Sequence, residues 1–125
     1  MDTISFNFPT DTRVGPGVIG QLNETLLALG IQRPLVVTDS GLLATDALKR
    51  LTDALLPGKP DRDWFLFSDV QPNPTEANTR GAAELALAKR CDGIVGLGGG
   101  SALDAAKVCR ILIKEPKLKL ADYDW

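Results

Sequence analysis

Apolar residues along this chain recur with two alternating periods. Ile4, Phe6 and Phe8 are separated by polar residues, the period-two pattern of a half-buried strand. After the turn residues Gly15-Pro16-Gly17, Val18, Leu22, Leu26 and Leu29 recur at helical spacing, and Gly30 is placed to end that helix. Leu35-Val36-Val37-Thr38 is a compact, largely β-branched run, of the kind buried on both faces of a parallel sheet. A second amphipathic segment carries Leu43, Ala47, Leu51 and Leu55 on one face and stops at Pro57-Gly58. Trp64-Phe65-Leu66-Phe67 predicts another strand. Pro72-Asn73-Pro74 breaks the chain, and Thr75 can cap a helix over 76–90. Residues 93–97 read as a strand and 102–114 as a helix. Strands alternating with helices predict an α/β fold, a mostly parallel sheet covered by helices on both faces. Right-handed crossovers then bring the loops after the strands to one edge, where ligands bind.

No repeat, low-complexity tract or linker divides the 125 residues, so residues 1–125 read as one domain, large enough to bury a core. The tail from Lys117 to Trp125 reads as a helix and turn that could pack on material outside these residues. A net charge of −2 and a pI near 5.0 give no electrostatic case for nucleic acid or an anionic membrane. No apolar run reaches the roughly 18 to 20 residues that cross a bilayer. Met1-Asp2-Thr3-Ile4-Ser5 lacks the basic and apolar regions of a signal peptide, so a cytoplasmic location is expected. Cys91 and Cys109 stand without companions at metal-ligand spacing and read as buried free thiols. There is no histidine, which removes the usual acid–base group and the usual transition-metal ligand from these residues.

The most specific chemistry lies at Gly96-Leu97-Gly98-Gly99-Gly100-Ser101, entered by Ile94-Val95 and left by a strong helix former. Glycines let the backbone turn its N–H groups onto an anion, and the following helix adds unsatisfied N–H groups and the positive end of its dipole. That combination makes a diphosphate cradle. Ser101, three residues before Asp104, reads as the helix N-cap. The dinucleotide fingerprint G-x-G-x-x-G is only partly met, since Ser101 stands at the third glycine, and no Gly-Lys-Ser/Thr follows as in a P-loop.

Gly98-Gly99-Gly100-Ser101-Ala102-Leu103-Asp104-Ala105-Ala106-Lys107 resembles the GGGSxxDxAK motif of the iron-containing (group III) alcohol dehydrogenases. Val36-Val37-Thr38-Asp39-Ser40-Gly41 resembles that family's first nucleotide-binding strand and turn, and Gln71-Pro72-Asn73-Pro74-Thr75 its PNPT segment, in the family's order. The resemblance implies the amino-terminal, Rossmann-like part of a hydride-transfer enzyme, with NAD as cofactor and NADP less favoured. It also implies a homodimer or higher homo-oligomer, in which the amino-terminal strand pairs at an edge or an interface. The family's catalytic Fe²⁺ or Zn²⁺ sits in a carboxy-terminal helical domain on one aspartate and three histidines, none of which maps here. This chain is therefore expected to hold no metal, to carry no catalytic residue and to be inactive alone. Glycerol dehydrogenases and dehydroquinate synthases share the broader fold, and a non-catalytic nucleotide-binding or dimerisation module is the further alternative. The substrate is not legible.

By the resemblance Asp39 accepts hydrogen bonds from ribose hydroxyls and repels a 2′-phosphate. From the residues alone it could equally cap the helix after it, and both can hold. Asn73, fixed between two prolines, could hold an amide near the ligand or serve as ordinary turn chemistry. Gly98, Gly99, Gly100 and Ser101 face the pyrophosphate. A carboxylate is unfavourable beside that group, so Asp104 is assigned to the loop itself or to the nicotinamide or ribose end. Lys107 could pair with Asp104, and its role stays open.

Overall fold

Five consecutive buried residues, Pro34 to Thr38, form the heart of the central strand β1 (Pro34–Asp39) and leave only its last residue partly open to solvent. The computed structural model describes residues 14–55, 63–71 and 76–114. The expected strand at Ile4–Phe8, the stop at Pro57-Gly58, the Pro72-Asn73-Pro74 loop with Thr75, and the tail from Lys117 lie outside these residues.

Among the described residues, β1 pairs in parallel with β2 (Phe65–Val70) on one side and β3 (Gly93–Gly96) on the other. The side chains of β1 alternate between two cores, as the pleat requires. Leu35 and Val37 pack against α3 (Glu76–Ala88) and α4 (Gly100–Lys114). Val36 packs on the opposite face against Leu26 of α1 (Leu22–Ala28) and against Leu51 and Leu55 of α2 (Asp46–Leu55). Helices on both faces of an all-parallel sheet are the architecture expected from the sequence. The small side chains of α3, Ala82, Ala83 and Ala86, and those of α4, Ala102 and Ala105, let both helices sit close on the sheet.

The chain runs from β1 outward to β2 through α2, then back across β1 to β3 through α3. The order therefore reverses at β1, and a crevice opens where the loops after neighbouring strands part in opposite directions.

Local expectations are corrected at two helices. The predicted helix from Val18 to Leu29 is a 3₁₀ turn, Val18–Gln21, followed by the short α1. Gly20 and two β-branched residues in its first turn disfavour α-helix there. Gly30 does end α1, at φ 74°, with the Ile31 N–H donating to the Leu26 carbonyl at 2.9 Å. Helix α2 starts at Asp46 rather than near Leu43, because Ser40–Leu42 turn as a separate 3₁₀ segment and the Thr45 hydroxyl donates back to the Leu42 carbonyl at 2.8 Å. Leu43 is left exposed.

Both cysteines are free thiols. Cys109 is fully buried on α4, and burial pushes its thiol up to about 12, with the neighbouring Cys91 adding to the effect. Cys91 is half-buried and raised first by burial, while Arg33 lowers it and Asp92 raises it. The thiolate is the reactive species. Iodoacetamide at pH 8 is therefore expected to label Cys91 before Cys109 in the native chain, with Cys109 reacting fully only in denaturant. Equal labelling of the two in peptide mass spectra would show that α4 does not stay packed. The raised values also set a direction with pH. The unfolded chain releases thiol protons from about the ordinary value of 9.0, whereas folded Cys109 keeps its proton to about 12, so stability falls as pH rises through that window.

Candidate functional site

The loops following the three strands enclose a cleft of about 420 Å³ lined by Asp39, Ser40, Gly41, Val70, Gln71, Gly99, Gly100 and Ser101. It lies at the carboxyl ends of parallel strands, at the reversal of strand order, where open α/β sheets bind ligands. The size falls within the range of about 300 to 1,000 Å³ usual for small-molecule sites. A larger hollow, about 480 Å³ and lined by Ile31, Ile94, Ile113 and Lys107 among others, reaches the opposite end of β3. It holds none of the residues assigned to chemistry from the sequence.

Asp39 ends β1 in an extended conformation, φ −94° and ψ 160°, and occupies the N-cap position of the 3₁₀ turn Ser40–Leu42. Its carboxylate makes no capping hydrogen bond, so the capping alternative is met in position and not in chemistry. The pleat puts Asp39 on the same side of β1 as Val37, toward α4 and the glycine loop. The two come close. A methyl group placed on Gly98 would lie 3.5 Å from Asp39 Oδ2, and one placed on Gly41 would lie 3.1 Å from Oδ1.

The glycine loop divides its labour. Gly98 has φ 136°, which side-chain-bearing residues rarely adopt, and an added Cβ would press on Ala102 at 3.1 Å and Leu42 at 3.2 Å. It shapes the loop from beneath rather than lining the cleft. Gly99 and Gly100 line the cleft, and a Cβ on either would meet nothing within 4 Å. The open ground above them, at the N-terminus of the fifteen-residue α4, is where a diphosphate can approach backbone N–H groups. The cradle therefore fits the dinucleotide implied by the motif.

Ser101 lines the cleft, but it is not the N-cap. Helix α4 begins at Gly100, and the Leu103 N–H already donates to the Gly99 carbonyl at 3.1 Å, so Ser101 lies within the first turn. Asp104 is exposed one turn along α4, outside the residues that line the cleft. Lys107 lines the other hollow. Asn73 lies outside the described residues. Sequence reasoning did not single out Ser40, Gly41, Val70 or Gln71 as site residues. Ser40, Gly41 and Gln71 fall within the motif segments named above, whereas Val70 carries no chemical signal. Among the described residues no group of three His, Cys, Asp or Glu could hold a metal, and no helix is long and apolar enough to cross a membrane.

Residues 9–124 match the family model described as iron-containing alcohol dehydrogenase. The chain belongs to the iron-containing alcohol dehydrogenase family. Among its relatives is the 4-hydroxybutyrate dehydrogenase of Cupriavidus necator, 38% identical over 77% of this chain and 24% of that protein. The solved sulfoacetaldehyde reductase of Bifidobacterium kashiwanohense, in complex with NAD⁺, superposes with a TM-score of 0.84 at 26% identity, over 98% of this chain and 31% of that one. The NADH-dependent butanol dehydrogenase A of Thermotoga maritima gives a TM-score of 0.77 at 29% identity, over 87% and 27%. The chain thus spans about a quarter of the length of the curated relative it matches. The Rossmann-like α/β fold expected from the sequence agrees with these relatives.

Proposed function

We propose that this chain forms the NAD-binding part of a metal-dependent alcohol dehydrogenase or aldehyde reductase. The single observation that supports it best is the cleft itself. A carboxylate with no capping partner stands at one wall, and glycine backbone with open space above it stands at the other. In this reading Asp39 accepts hydrogen bonds from the ribose hydroxyls of the adenosine half and repels a 2′-phosphate, which favours NAD over NADP. The N–H groups of Gly99, Gly100 and Ser101 receive the diphosphate, with Gly98 holding the loop in shape. Asp104 is assigned to the loop itself or to the nicotinamide or ribose end, and Asn73 to holding its amide near the ligand. Bound NAD supplies the hydride acceptor, and this chain's part is to bind and orient it. The catalytic metal and the substrate pocket belong to a part of such an enzyme that these residues do not include. The 125 residues alone are accordingly expected to bind and not to turn over. A homodimer in the cytoplasm is the setting that the resemblance suggests.

Titration of the purified chain with NADH and with NADPH, followed by nicotinamide fluorescence, tests this reading. Saturable binding that favours NADH supports it. A chain that circular dichroism shows to be folded, yet that binds neither, overturns it. Binding that favours NADPH overturns the role given to Asp39.

A further inference from the structure

We propose that Gly41 is a positioning residue for Asp39, and that its missing side chain sets how well the site selects a free ribose 2′-hydroxyl over a 2′-phosphate. The inference rests on the cofactor role given to Asp39 above. Three observations lead to it. First, Asp39 is the last residue of β1, and the pairing with β2 slips there by one residue, from Val37 opposite Phe67 to Asp39 opposite Val70. The extra residue lies on β2, so β1 keeps its pleat and the regular ladder ends beside Asp39. Second, the chain then folds back at once in the Ser40–Leu42 turn, which brings the Gly41 backbone over the carboxylate. A Cβ there would stand 3.1 Å from Oδ1, closer than the oxygen tolerates without moving by a few tenths of an ångström. Third, Gly41 is absent from the positive-φ glycines, which are Gly17, Gly30 and Gly98 among the described residues. Its backbone is open to any residue, so conformation does not explain a glycine at this position. Room for the carboxylate does.

On the other side of the carboxylate stands Gly98, also without a side chain. Asp39 is held in a slot between two bare stretches of backbone, where its direction depends on both walls. A methyl group on Gly41 moves the carboxylate and leaves its charge in place. Hydrogen bonds to the ribose depend on direction and distance and are weakened. Repulsion of a 2′-phosphate is long-ranged and changes little. The variant should therefore lose affinity for NADH and keep its poor affinity for NADPH, a different signature from that of Asp39→Ala, which removes both effects.

A double-mutant cycle on the 125-residue chain reads this directly, with NADH and NADPH as probes and circular dichroism as the check on folding. Gly41→Ala is expected to weaken NADH binding roughly 3- to 10-fold and NADPH binding less than about 2-fold, the scale of a strained charge-assisted hydrogen bond. In the Asp39→Ala background the same substitution should change NADH binding by less than about 1.5-fold, because neighbours acting through one contact are not additive. Gly41→Ser carries the same Cβ and must behave alike. An additive cycle would mean that the new methyl group meets the ligand itself, and it overturns the proposal. So does a Gly41→Ala chain whose NADH to NADPH ratio is unchanged. If wild type and Asp39→Ala bind NADH equally, the cofactor role of Asp39 is what fails, a result separate from the two above.

Discussion

Gly99→Val is expected to weaken NADH binding by roughly one to two orders of magnitude and leave the fold standing, whereas Gly98→Ala should cost stability as well. The two glycines are adjacent in sequence and opposite in function. Gly98 sits at φ 136° with Ala102 and Leu42 close beneath it, so any side chain is strained by its own backbone and crowded by its neighbours. Strain of this kind is worth on the order of 1 to 3 kcal/mol. At Gly99 nothing lies within 4 Å of a new Cβ, so the unliganded chain has open space where a side chain would start. That vacant ground is where the diphosphate is proposed to lie. Blocking one or two charge-assisted hydrogen bonds there should lower affinity by roughly one to two orders of magnitude. Gly100, the first residue of α4, supplies the control: Gly100→Ala should gain about 0.4 to 1 kcal/mol by restricting the unfolded chain. Urea unfolding and fluorescence titration on the same three variants separate the two effects. Gly99→Val binding NADH as tightly as wild type would show that the diphosphate does not rest on this loop.

That division between neighbouring glycines was not legible in the sequence, although the loop was. The alternation of β-branched runs with amphipathic segments was enough to place β1, β2, β3 and the helices between them, because each signal is local. The motif spelling was enough to mark the loop after β3 as the proposed phosphate site. Which glycine is a hinge and which is a floor depends on where Leu42 and Asp39 come to lie, and that is decided by the turn after a different strand. The start of α4 was misplaced by the same blindness. Ser101 has the chemistry of a cap, but three glycines in a row let the helix begin two residues earlier. Gly41 shows the limit most clearly. Nothing in Asp39-Ser40-Gly41 distinguishes a turn glycine from a wall against which a carboxylate is aimed.

The far end of the sheet holds the other feature hidden from local patterns, and it carries a stability effect on the scale of that expected at Gly98. Asp92→Ala should destabilise the chain by about 1 to 3 kcal/mol, the worth of backbone hydrogen bonds to a charged acceptor after discount for solvent exposure. The Asp92 carboxylate accepts from the Gln32 N–H at 2.9 Å and the Arg33 N–H at 2.7 Å, and the Asp92 N–H donates to the Arg33 carbonyl at 3.0 Å. These bonds join the turn before β3 to the turn before β1 across some sixty residues of sequence. Arg33 extends the clamp. Its guanidinium donates to the Lys89 carbonyl at 2.7 Å and to Asp63 at 2.5 Å, and it lies 5.1 Å from the centre of the Phe65 ring. All three strand starts are thus tied at one corner. Exposed pairs within one helix, such as Lys49 and Asp53 at 3.6 Å, lack this reach, and Lys49→Ala should stay within about 0.5 kcal/mol of wild type. The measurement is the urea midpoint at constant slope, which isolates stability from changes in compactness. Asp92→Asn, which keeps an acceptor and loses the charge, should fall between. Because the clamp and the cleft lie at opposite ends of the strands, folded Asp92→Ala should bind NADH as wild type does. A midpoint indistinguishable from that of Lys49→Ala would mean that the corner is held by the packing of Phe65 and Ile31 alone.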